Sequence, residues 1–360
     1  MSSSVLVPTL TPRGSSPLWF LLVVSIGALF CPVEVPVAGA AGYQGFGATT
    51  LGGTGKPVVH VTTLSDSGPG SLRTAVSQGN RTIVFDVSGP IVLASMIKVK
   101  GAFLTLDGFS APAPGITLVN AGLLISGLDN AHDIIVQGLR VRNSIADSIT
   151  IRDGAYNIVI DHLSSQGASD GSIDITQGAF DVTVQWSILA ENAPTHNLLV
   201  LVEYQALRVT FHHNLFGRGR DRNPHSGWDG TLATTPPDIV TDIRNNLIWD
   251  FANDGTQILN NTWSNVVKNF YYSSVQPSAG RALWVKFGGK VYAQGNYSLN
   301  GANVDSQGTQ PQPFLASAVD TTDACTAAQR VRDTAGVRPL DAIDLLYLSP
   351  IVLPPAPCGN

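Results

Sequence analysis

The sequence predicts a right-handed parallel β-helix, an all-β stack of coils with two or three short strands per turn. Three observations carry that expectation. Short β-branched runs recur at fixed spacing, DIIVQGLRV at Asp133, NIVIDHLSS at Asn157 and DVTVQWSIL at Asp181, each 24 residues after the last. A second short strand follows each run, and the Ser-Ile pairs Ser148-Ile149 and Ser172-Ile173 keep the same 24-residue offset. Only 13% of the residues are charged, against about 25% for an ordinary globular domain, as expected when strands are buried on both faces. A fixed period of this kind marks a stack of repeats. The strands are not separated by crossover helices, which argues against a doubly wound α/β sheet, and an antiparallel sandwich would need hairpin signals at shorter spacing.

The elements follow in order along the chain. Residues 1–40 read as a secretory signal: Arg13, then the apolar run Pro17–Cys31, then small residues ending Ala38-Gly39-Ala40. That run falls short of the roughly 20 residues that span a bilayer. With the signal removed, Cys325 and Cys358 are the remaining cysteines, and in an oxidising compartment they could pair and tie down the tail. Residues 41–300 form the β-helix, opened by Ser71–Gln78 (SLRTAVSQ), a short amphipathic helix suited to capping the first coil. Asn214, Asn246, Asn269 and Asn296 end corresponding strands, as an asparagine ladder inside the coil requires. Residues 301–360 make a polar tail in which Cys325–Gly336 reads as a helix packed back on the coil. Asn80, Asn260 and Asn296 fit the N-x-S/T acceptor pattern.

The net charge of −5 argues against a nucleic-acid partner but not against an acidic substrate, because the local field decides capture. Two segments concentrate chemistry. Asp161–Asp174 (DHLSSQGASDGSID) is acidic, and Phe211–Gly227 (FHHNLFGRGRDRNPHSG) is rich in arginine. Asp170 and Asp174 lie four apart on a presumed strand, where even spacing shares one face. Asp147 falls one coil earlier, and adjacent strands lie about 4.8 Å apart, so three carboxylates can converge on a hard cation such as Ca2+. The same acids also suit coil turns, since Asp-Gly is a turn signal. None of the histidines has zinc-site spacing. His162, in the Asp161-His162 pair, reads as a satisfied buried histidine.

The strings FGATTLGG, VTTLSDSGPGSLRTAV, IVFDVSGPI, LTLDGFSAPAPGITL, VIDHLSS, FHHNLF and RNP, in that order from Tyr43 to Asn300, resemble the pectate lyase superfamily. The resemblance implies the parallel β-helix fold and a secreted, calcium-dependent enzyme that cuts α-1,4-linked galacturonan by β-elimination. It implies metal ligands at Asp147, Asp170 and Asp174, and a proton-abstracting arginine at Arg222, two residues before a proline. Arginine is an unusual base because its guanidinium is protonated in water, and a bidentate hold on a substrate carboxylate is the other role open to Arg222. Arg218 and Arg220 flank it as candidate substrate contacts. The chain departs from the family pattern in three places. Ile145 stands where some members carry a further acid. No lysine occurs in Glu191–Val200, where His196 is the candidate substitute, and a second arginine five residues after Arg222 is replaced by Gly227, with His225 nearby.

The expected partner is polygalacturonate or pectin, bound by a monomer with no membrane attachment once the signal is removed. Another uronate, methylated pectin, or a catalytically silent glycan-binding β-helix remain the alternatives. A glycoside hydrolase would need paired carboxylates about 5–10 Å apart, which Asp170 and Asp174 could supply, but that family's usual Asp-Asp and Gly-His-Gly strings are absent.

Overall fold

The computed structural model describes residues 42–229, 235–275 and 278–358. The signal region at 1–40 lies outside them. Strands only two to six residues long are too short to bury a face alone, so each finds its partner one coil away. The pairing is parallel throughout and builds three sheets of ten, eight and nine strands among the described residues. The 24-residue period appears directly in the register: Ile134, Ile158 and Val182 stack in one column, as do Val136, Ile160 and Val184. Further along, the same two columns continue through Val209 and Phe211. These inward columns are fully buried and form the core of the stack. Helix Leu72–Ala75, N-capped by the Ser71 hydroxyl, buries Leu72 and Ala75 at the first coils; it lies within the expected Ser71–Gln78 but is shorter, ending at Val76.

Corners between the sheets need left-handed backbone, and residues such as Asn143, His162, Arg218 and Arg222 adopt it there. The asparagine ladder is present. Asn246 Oδ1 accepts from the backbone N–H of Asn214 at 2.9 Å and from its side-chain amide at 3.0 Å. Asn269 does the same for Asn246, and Asn296 for Asn269.

The chain ends decide which face stays open. The segment after Tyr43 crosses the outside of the ten-stranded sheet, where Phe46 and Gly47 donate backbone N–H groups to Thr210 and Thr183. Its path is so close that a Cβ on Gly47 would lie 2.4 Å from the Ile158 carbonyl oxygen. The tail covers the nine-stranded sheet. Helix Ala324–Thr334, predicted from sequence, and helix Ala342–Leu348, which the sequence reading did not find, pack on Ile188, Leu215, Leu247 and Phe270. The disulfide Cys325–Cys358 ties the tail to itself. The acidic and arginine-rich clusters converge on the outer side of the eight-stranded sheet, which carries Asp174 and His225.

Candidate active site

The outer column of the eight-stranded sheet runs Thr150, Asp174, Leu201, His225, Gln257, Trp284. Asp174 occupies the middle of strand Ile173–Ile175. Asp170 is not on that strand but in the turn before it, because the strand begins only after Gly171 and Ser172. Asp147 precedes strand Ile149–Arg152 one coil earlier.

Gly171 is where the two inner acids meet. A Cβ built there would lie 2.7 Å from Asp174 Oδ1 and 3.0 Å from Asp147 Oδ1, so the missing side chain leaves a gap rimmed by carboxylate oxygens. The Gly171 N–H donates to Asp147 Oδ1 at 2.9 Å and the Thr150 hydroxyl to Asp147 Oδ2 at 2.7 Å. Burial raises Asp174 well above the usual carboxylate range, and the charges of Asp147 and Asp170 add to the rise while Arg222 opposes it. Asp147 is raised by burial too, against the hydrogen bonds from Thr150 and Gly171. Carboxylates forced together at a desolvated gap are a donor set that suits a hard divalent cation. Asp170 lies at the rim, exposed, with its Oδ1 3.1 Å from His196 Nε2. The three carboxylates do not all come within 4.8 Å of one another. Among the described residues only Asp323, Cys325 and Cys358 do so, and those cysteines are consumed by the disulfide.

Beside the acids opens a cleft of about 390 Å³ whose lining includes Arg220, Arg222, His225, Asp254, Arg281 and Trp284. Arg222 reaches the cleft without a hydrogen bond or ion pair to its guanidinium among the described residues. Its left-handed φ of 61° is shared with many coil corners here and marks no special strain. Arg220 is held by Asp221 at 3.1 Å. Arg218 is not brought to the cleft. It lies over the ring of Tyr347 in the tail, 5.5 Å from its centroid, near Asp250.

His225 is buried, 7% exposed, with Nδ1 3.1 Å from Gln257 Oε1 and Nε2 3.6 Å from Glu203 Oε2. Glu203 was not singled out from sequence. It stands at the end of strand Val200–Val202, and only the structure places it against residues of the next coil. The expectation of a second arginine at position 227 meets a physical bar, since even a Cβ on Gly227 would lie 2.8 Å from Glu203 Oε1 and 3.1 Å from His225 Nε2. His162 is satisfied as expected, bonded to Asp161 at 2.8 Å and stacked on Trp186, but it is half-buried rather than buried.

No family model matches the chain. A protein of Aspergillus oryzae described as probable pectate lyase C is 30% identical over 330 residues, spanning 84% of this chain and 74% of that protein. The chain belongs to the pectate lyase family. A probable pectate lyase C of Aspergillus terreus is 31% identical over 277 residues, 74% of this chain, but the match spans only 61% of the fungal protein. Among solved structures, the cedar pollen allergen Jun a 1 superposes with a TM-score of 0.64 at 21% identity, covering 82% of this chain and 92% of the allergen. A pectate lyase of Bacillus sp. N165, solved in complex with trigalacturonate, gives a TM-score of 0.61 at 19% identity, over 82% of this chain and 99% of its own. At such identities these two speak for the fold of pectate lyases alone.

Proposed function

We propose that this pectate lyase family member is an exported polysaccharide lyase that cleaves α-1,4-polygalacturonate by calcium-assisted β-elimination. The observation that carries the reading is the gap at Gly171, rimmed by Asp147 and Asp174, opening beside a cleft lined by Arg222, whose guanidinium has no hydrogen bond or ion pair among the described residues. β-Elimination from a uronate removes the C5 proton, moves its electron pair into a C4–C5 double bond and expels the O4 of the neighbouring sugar. A calcium ion held by Asp147, Asp170 and Asp174 would supply positive charge to the substrate carboxylate and so acidify C5–H. Arg222 serves as the base, and Arg220 adds positive charge that draws the polyanion into the cleft. His196 fixes Asp170 at the rim and stands where the family pattern has a lysine. Domain limits of 1–40, 41–300 and 301–360 and a monomeric state belong to the same proposal. Export is supported by the Cys325–Cys358 disulfide, a bond of oxidising compartments.

The test follows ultraviolet absorbance of the unsaturated product on polygalacturonate, with calcium and then with a chelator. The expected result is a rise that the chelator abolishes and that Arg222→Ala lowers by on the order of 10²–10⁴-fold, the span for a proton-transfer residue. Product of the hydrolytic kind, without absorbance, would reject elimination. The apolar lining of Leu198, Leu259 and Trp284 favours a second reading, a substrate that is partly methyl-esterified. A faster rise on methylated pectin than on polygalacturonate would select it.

A further inference from the structure

A base that is protonated in water needs somewhere to send its proton, and the cleft supplies a place. Gln257 Nε2 donates to Asp254 Oδ2 at 3.1 Å, which turns Gln257 Oε1 toward His225 Nδ1 at 3.1 Å. An amide oxygen only accepts, so Nδ1 carries the hydrogen and the neutral ring leaves its lone pair on Nε2. That nitrogen is buried and has no hydrogen-bond partner among the described residues. It faces Glu203 Oε2 at 3.6 Å, too long for a hydrogen bond. Glu203 Oε1 in turn accepts from the Asn260 amide at 2.6 Å, and Arg281 pairs with Asp254 at 2.8 Å at the other end of the chain of contacts. A buried lone pair pointing at a carboxylate is a vacant proton site whose filling creates an ion pair.

We infer that His225 takes the proton that Arg222 must lose before it can act as a base, and that Glu203 holds the resulting imidazolium. The inference rests on the lyase reading above. Glu203 is a positioning residue that acts through His225, and His225 reaches the reacting atoms only through Arg222 and water. The charged groups about the imidazole are Glu203 on the preceding coil, Arg222 and Asp221 on its own, Asp254 on the next and Arg281 on the one after that. The steps balance as follows. Arg222 gives a proton to His225 Nε2, directly or through water in the cleft, and becomes a neutral guanidine. The C5–H bond breaks, its proton goes to Arg222, its electron pair forms the C4–C5 double bond, and the C4–O4 bond breaks. The imidazolium then returns its proton through water to the expelled O4, and the net transfer is one proton from C5 to O4.

The experiment measures kcat and KM against pH on polygalacturonate at saturating calcium, together with the NMR titration of the His225 ring, for the wild type, Glu203→Gln and His225→Gln. Glu203→Gln keeps the oxygen that Asn260 bonds but removes the charge facing Nε2. The acid limb of kcat and the His225 titration are expected to move together to lower pH in Glu203→Gln. His225→Gln is expected to lower kcat by on the order of 10²-fold with KM near that of the wild type, and unchanged thermal unfolding of both variants confirms that they fold. Activity with an acid limb that stays in place in Glu203→Gln, or that ignores the His225 titration, overturns the inference and leaves the lyase reading standing. A wild type that yields no unsaturated product overturns the lyase reading, and the inference falls with it.

Discussion

A methyl group at position 171 would fill the space between Asp147 and Asp174, within 3.0 Å of an oxygen of each. Gly171 has no positive φ, so an alanine backbone fits and the clash falls on the carboxylates alone. Gly171→Ala is therefore expected to leave thermal unfolding near the wild type while weakening calcium binding by roughly 10–100-fold, the range for disturbing groups that orient metal ligands. Titration calorimetry of the purified variant checks it, and unchanged affinity would mean that the cation does not sit at this gap. The acids around Gly171 were legible because they are close in sequence and offset by one period. Glu203 was not, because its partners His225 and Asn260 come from later coils and nothing local to NLLVLVE marks it. The tight fit at Gly227 was hidden for the same reason. It could have been suspected only by asking what fills the space of the arginine that the family pattern leads one to expect.

Ladder side chains connect coils that strands alone join only by backbone. Asn246 is fully buried. Its Oδ1 serves both donors of Asn214, and its amide donates to the Phe211 carbonyl at 2.9 Å and to Asn269 Oδ1 at 3.0 Å. Asn246→Leu keeps the volume but strands the two Asn214 donors and the Phe211 carbonyl, each worth about 1–3 kcal/mol when left unpaired. A loss of roughly 3 kcal/mol or more is expected in denaturant unfolding. Asn296→Leu, at the less buried end of the ladder, is expected to cost less. Equal costs at both ends would show that burial does not set the ladder's worth. The repeat exposed this element in the sequence, since four asparagines recur at the same strand position. Helix Ala342–Leu348 offered no such signal. It has seven residues, and its anchor is distant: Arg142 bonds Asp344 at 2.7 Å and Asp341 at 3.0 Å across about 200 positions of chain. Buried arginines on the strand Leu139–Arg142 read as ordinary surface alternation until the tail is laid over them.

At the scale of the whole molecule, covering two of three sheets with the chain's own ends leaves titratable groups sealed beneath the covers, and these set the response to acid. His213 is stacked on Trp186 at 4.2 Å, and its pKa falls to about 4, through burial first and then the charge of Arg330. The adjoining His212 is also held well below the usual histidine value by burial and by His213. An unfolded histidine titrates near 6.5. Between about pH 6.5 and 4 the unfolded chain therefore binds a proton that the folded His213 refuses, and stability falls as the pH falls through that window. A shift of this size corresponds to ~3 kcal/mol between the two ends of the window. Several buried carboxylates, Asp242 and Asp254 among them, are raised instead and oppose the trend, so the net pH profile of the wild type does not isolate the histidine. A difference measurement does. His213→Phe retains a ring to stack on Trp186 and removes the titration of His213 together with its contact to His212 at 3.0 Å, so the difference reports the His213–His212 pair. Denaturant unfolding at pH 7 and pH 4.5 is expected to show the variant losing less stability on acidification than the wild type, by up to ~3 kcal/mol. Parallel losses in the two proteins would mean that His213 takes up its proton in the folded state, and that the tail does not seal the sheet it covers.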